Sequence, residues 1–143
     1  MVHALKHTHS MLDPNGLLIN IQPIPAASLI EIHSADTIMK VDWLTDQTEF
    51  TSENAALNAV SQAISDGYFL FKVECDFDFR IYADSLPEFR EVLAFSWEST
   101  DRIDQTIQEL ADLFQSVGQT ARLMLWIPFR MMKLRVVSYT TPK

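Results

Sequence analysis

Three carboxylates, Glu74, Asp76 and Asp78, stand at every second position of a β-prone run, with Lys72 before them and Arg80 after. In a strand that spacing puts all five side chains on one face. Neighbouring carboxylates serve as acid and base once burial drives their pKa values apart. On an exposed face they are more often solvated charges, and pairing with Lys72 and Arg80 is the expectation here. His3 and His7 are four apart, a helical spacing that presents two imidazoles to one metal, but no third ligand and no His-Glu-x-x-His pattern accompanies them. They read as a solvated first helix or as one packed against a partner, and His33, two positions after Glu31, reads as hairpin surface. Cys75, the single cysteine, alternates inward among phenylalanines and reads as a buried, inert thiol. Trp43, Trp97 and Trp126 could line a ligand pocket, but large aromatics in a chain of 143 residues are first of all core.

Composition narrows the partners. Eleven Lys and Arg stand against 19 Asp and Glu, a net charge of −8 that repels a phosphate backbone, so nucleic acid is not expected. One cysteine allows no intrachain disulfide and suits a reducing compartment. Leu123 to Met132 is broken by Pro128 and Arg130 and falls short of the roughly 20 apolar residues that span a bilayer. The N-terminus, with His3, His7 and His9, lacks a signal-peptide core. A cytoplasmic protein without membrane partners is the expectation.

The elements that must position these residues follow from periodicity. A helix is expected over residues 2–12, closed by Pro14 and Gly16, and then a short strand from Leu17 to Ile21, apolar but for Asn20 and so expected to be buried on both faces. Leu29–His33 and Ile38–Leu44 form a hairpin around Ser34 to Thr37. A helix from about Thr51 to Asp66 carries Leu57, Val60 and Ile64 on one stripe and ends at Gly67. The run from Phe69 to Tyr82 alternates so regularly that Phe71, Val73, Cys75, Phe77, Phe79 and Ile81 should form a core face, with a bulge or bend near Asp76 to Asp78. Ser85 and Glu88 form a capping box, and a further helix runs from about Asp101 to Gly118. The last strand, Thr120 to Val137, is apolar at both parities through Leu123–Ile127, and Pro128 should kink or split it. Phe71, Phe77, Leu125 and Trp126 are expected between the sheet and the helices over 52–66 and 102–117.

Ala4-Leu5 followed by Leu12-Asp13-Pro14-Asn15-Gly16-Leu17-Leu18-Ile19-Asn20-Ile21 resembles the helix D to strand 5 junction of class I S-adenosylmethionine-dependent methyltransferases. The later order of elements resembles that family's helix E, strand 6 and strand 7. The resemblance implies an α+β fold: a small mixed, mainly antiparallel sheet with flanking helices, like the strand 5-7-6 half of the family. It implies one domain over 1–143: 1–23 like helix D and strand 5, 24–48 an inserted hairpin, 49–137 like helix E through strand 7, and 138–143 a tail. Gly16, Gly67 and Gly118 each stand alone, so no Gly-x-Gly turn exists to hold the methyl donor. No cofactor is therefore expected, S-adenosylmethionine included, unless a complementary N-terminal half is supplied. By the same likeness Asn20, Gln22, Tyr82 and Arg130 face a small molecule, with Trp126 beside them in a candidate pocket. No catalytic or metal-binding residue is transferred.

Two functions are consistent with this. One is a non-catalytic methyltransferase-like module that dimerises and binds a small molecule or partner protein. The other is a subunit or truncated fragment of a methyltransferase, whose separate N-terminal half is a partner chain or precedes a start placed too late at Met1. Without its strand 4 neighbour, the run Leu17–Ile21 should present a bare edge. A homodimer is expected to form there, through Leu5, Leu17, Leu18, Ile19 and Ile21.

Overall fold

The computed structural model describes residues 2–44, 50–96, 100–118 and 120–137. The elements are α1 (Val2–Met11), β1 (Leu17–Pro23), β2 (Ser28–His33), β3 (Ile38–Leu44), α2 (Thr51–Ser65), β4 (Phe69–Ala83), α3 (Leu86–Ser96), α4 (Thr100–Val117) and β5 (Arg122–Val136). The fold is α+β, with a mainly antiparallel five-stranded sheet. The chain divides into two compact units, the first made of residues 1–26, 46–78 and 128–143 and the second of 27–45 and 79–127. Trp97 and the tail 138–143 lie outside the described residues, as does the side chain of Trp43.

Local chemistry accounts for the boundaries. After α1, Asn15 takes a left-handed φ of 66° and Gly16 N–H closes the turn on Asp13 O at 2.7 Å. A Cβ on Gly16 would sit 2.8 Å from that same oxygen, so the turn requires glycine. Gly67, at φ 81°, ends α2, while Tyr68 N–H reaches back to Ala63 O at 3.1 Å and satisfies a terminal carbonyl. Ser85 caps α3 as expected, accepting from Glu88 N–H, while the Glu88 carboxylate reaches one residue further back than a capping box requires and accepts from Asp84 N–H at 2.7 Å.

In the first unit β5 lies between β1 and β4. Leu17 to Pro23 pair antiparallel with Arg135 to Phe129, and β4 pairs with β5 on the opposite edge. Alternation turns Met132, Leu134 and Val136 inward, where they pack with Val60, Ala63, Phe69, Leu5, Leu18 and Leu57. In the second unit the order is β3–β2–β5–β4. Here Leu123 and Leu125 of β5 join Ile30, Ile32, Phe89, Leu93, Ile103 and Leu110 in the core. Pro128 does not split β5. It falls between the stretch that pairs with β2, Arg122–Trp126, and the stretch that pairs with β1, Phe129–Arg135, where neither partner's ladder needs a donor from it.

Two expectations about faces are overturned. β1 is covered on one side only: Leu18 packs in the core, but Leu17, Ile19 and Ile21 are 50%, 50% and 54% exposed. β4 is exposed at every position from Leu70 to Arg80, including Phe71, Val73, Cys75, Phe77 and Phe79. Alternation identifies an apolar face; it does not say that a helix covers it. Phe71 and Phe77 are thus not core, and neither is Cys75. Leu125 is buried as expected, and Trp126 is half-buried on the face opposite Leu123 and Leu125.

This burial pattern predicts that Leu134→Ala lowers stability by about 2–5 kcal/mol, while Val73→Ala, at an exposed position, costs under about 1 kcal/mol. Urea denaturation of both variants measures the difference. Equal midpoints would mean that the two strands have been given the wrong faces.

Candidate functional site

Among the described residues, each unit holds a cluster of polar side chains that joins several strands. In the second unit, Leu29, Glu31 and His33 of β2 stand opposite Trp126, Met124 and Arg122 of β5. These residues occupy the sheet face turned away from Leu123 and Leu125. Glu31 is 4% exposed, and its Oε2 accepts from Trp126 Nε1 at 2.9 Å and lies 2.8 Å from His33 Nε2. A carboxylate removed from water needs such partners, because burial otherwise costs several kcal/mol. From β4, the Arg80 guanidinium stacks 3.8 Å above the Trp126 ring, while Arg122 lies 5.3 Å from the Tyr82 ring and donates to Asp84. The His33 and Tyr82 rings meet edge to face at 6.5 Å.

A carboxylate that orients an imidazole is half of a general-base arrangement. Among the described residues no hydroxyl or thiol bonds to His33, so no nucleophile is set against it. The cluster ties β2, β5 and β4 together on that face, where Leu29 and Met124 are buried beside Glu31. Glu31, His33 and Arg80 were not read from sequence as one group. Their signal was faint: two polar residues at one parity, Glu31 and His33, beside the apolar Leu29, Ile30 and Ile32.

In the first unit, Gln22 of β1 stands opposite Arg130 of β5, and Asn20 stands opposite Met132. Arg130 donates to Asp76 through Nε at 2.7 Å and Nη2 at 2.8 Å, with Glu74 3.7 Å from Nη1. Arg130, rather than the expected Lys72 and Arg80, is the counter-ion of this acidic face. The hydrogen bond from Arg130, more than its charge, holds the Asp76 carboxyl below the usual carboxylate range and raises the guanidinium in turn. On the other side of Arg130, Gln22 is 7% exposed, and the amide nitrogens of Gln22 and Asn20 are both buried without an acceptor among the described residues. An unsatisfied buried donor costs about 1–3 kcal/mol, and a folded chain seldom keeps one without a reason.

The five candidate pocket residues therefore divide. Asn20, Gln22 and Arg130 come together in the first unit, and Tyr82 and Trp126 belong to the second. Of the expected dimer edge, Leu5 and Leu18 pack into the first unit's core, and Leu17, Ile19 and Ile21 remain exposed. Among the described residues no three His, Cys, Asp or Glu side chains are placed to share a metal ion, and no helix is long and apolar enough to cross a membrane. No known protein family, curated protein or solved structure matches the chain.

Two outcomes follow. Trp126→Phe removes a donor from the buried Glu31 and is expected to lower stability by about 1.5–3 kcal/mol, part of which Glu31→Leu in the same chain should restore. A denaturation series in which the double variant is as unstable as the sum of the singles would contradict the pairing. Asp76 has a depressed folded pKa, so its stabilisation is present above the unfolded value of about 3.9 and is lost as pH falls through the folded value. Arg130→Gln should move the Asp76 titration midpoint up toward that unfolded value. An unmoved midpoint, read by carboxyl NMR shifts, would show that the ion pair does not exist in solution.

Proposed function

We propose that the chain is a non-catalytic module that self-associates through β1 and presents a small-molecule or partner site. The observation that carries this reading is the uncovered face of the first unit. Leu17, Ile19 and Ile21 line it, Ile21 stands opposite Met131, and the Phe77 ring lies 5.9 Å from that of Phe129 on the same β5 face. Exposed apolar side chains gathered on one face in this way mark an interaction site.

A second copy suits β1 better than β4. Among the described residues β1 pairs only with β5, which leaves its outer edge bare. Leu17 to Gln22 carry no charge, so antiparallel pairing of β1 with its copy places no like charges opposite one another. The same operation on β4, centred on Asp76, would set Glu74 against Asp78 and Lys72 against Arg80. Those charges protect the longer edge from self-pairing.

The second reading, one subunit of a methyltransferase whose cofactor half is a separate chain, draws on the strand order β1–β5–β4 in the first unit. That order is the one the junction resemblance implies for strands 5, 7 and 6. On this reading the missing half would occupy the edge assigned here to a second copy.

Light scattering at tens of micromolar should give a dimer, and Ile19→Lys with Ile21→Lys should give a folded monomer with unchanged circular dichroism. A monomeric unmodified chain would remove the proposal. Saturable binding of S-adenosylmethionine to the isolated chain, measured by calorimetry, would overturn its non-catalytic part.

A further inference from the structure

Every residue of β4 from Leu70 to Arg80 is exposed, whichever face it points to, so among the described residues no element covers either side of this stretch. Contacts with β5 fix its alternation. Asp76 accepts from Arg130, and the Phe77 ring meets that of Phe129. Arg130 and Phe129 are neighbours on one strand and point to opposite faces, and so do Asp76 and Phe77. Val73, Cys75 and Phe77 therefore share one row, and Glu74, Asp76 and Asp78 share the other. Among the described residues β4 pairs only with β5, which leaves its outer edge bare.

The stretch thus offers three features side by side: an exposed apolar row, an acidic row and an edge of backbone donors and acceptors open to water. A helix laid on one face would cover one row and leave the edge as it is. An added strand meets all three, because its backbone pairs with the edge while its alternate side chains lie beside both rows. The affinity comes from the edge and from burying Val73 and Phe77. The acidic row does not draw a partner in, since water solvates Glu74 and Asp78 and Arg130 holds Asp76. It selects: acidic side chains set beside it are repelled, a second copy of β4 included, and basic ones are accepted.

We infer that the β4 edge over residues 71–78 binds an extended segment of a partner protein in which apolar residues alternate with Lys or Arg. The segment's apolar row lies beside Val73, Cys75 and Phe77, and its basic row lies beside Glu74 and Asp78. The inference rests on the reading of the chain as a binding module and gives that module's partner a place and a chemistry. It does not require the β1 contact.

The probe is a peptide of about ten residues alternating lysine with valine, the length that spans this stretch of strand. It is added to the full chain and followed by calorimetry and amide NMR. One control alternates glutamate with valine, and the other holds the same lysines and valines in two blocks, which keeps the charge and removes the alternation. The alternating basic peptide should bind at micromolar concentration, at least tenfold more tightly than either control, and should slow exchange of amides within residues 71–78. Val73→Lys and Asp78→Lys, both at exposed positions, should leave the circular dichroism unchanged and each weaken binding about fivefold or more. The chain carrying Ile19→Lys with Ile21→Lys should bind the peptide as the unmodified chain does.

Equal affinity for the block peptide would reduce the interaction to bulk charge and overturn the inference. Amide protection confined to β1 would place the peptide on the other edge and do the same, as would the absence of binding at one millimolar. None of these results decides the light-scattering test of β1, so failure here and failure of the dimer are separable.

Discussion

The fold depends on β5 being paired on both edges along its length. It lies between β1 and β4 in one unit and between β2 and β4 in the other, so its fifteen residues contribute to two cores. Leu123 and Leu125 serve one core, and Met132, Leu134 and Val136 serve the other. Pro128, with no N–H to place in a ladder, sits between the stretch that pairs with β2 and the stretch that pairs with β1. Hydrogen bonding on both sides also explains why β5 is free to be apolar: it has no bare edge to defend.

The polar side chains of the two units are satisfied to different degrees. On the second unit's face opposite Leu123 and Leu125 the polar groups satisfy one another. Glu31 is held by Trp126 and His33, the guanidinium of Arg80 covers the indole, and Arg122 is shared between Tyr82 and Asp84. A face completed by its own residues makes little demand on a partner. The first unit is different: Leu17, Ile19 and Ile21 are exposed, and the amide nitrogens of Asn20 and Gln22 are buried without an acceptor among the described residues. Unmet interactions of this kind lower the stability of an isolated chain and are most often kept where binding supplies what is missing.

Local features were legible in the sequence because their causes are local. Gly67 after an amphipathic run, Ser85 and Glu88 at capping distance, and the tight turn at Gly16 each placed an element end within one or two residues. The placement of β5 between two partners was also legible, from apolar residues at both parities over Leu123–Ile127. The covering of faces was not, because it depends on where helices pack. Phe71, Phe77 and Cys75 share the alternation of a core strand and still lie exposed. The bond between Glu31 and Trp126 joins residues 95 positions apart, and no spacing rule reaches that far. Asn20 and Gln22 were singled out by their place after strand 5 of a resembled family; burial without partners is a separate and physical reason to notice them.

The central claim is that the apolar row of β1 is covered by another copy of the chain. Intermolecular nuclear Overhauser effects in a mixture of methyl-labelled and unlabelled chains test it most directly. The account predicts contacts from the methyl groups of Leu17, Ile19 and Ile21 to the unlabelled copy, and none from the core methyls of Leu123 or Leu134. Methyl groups of β1 that show contacts only within their own chain would contradict it.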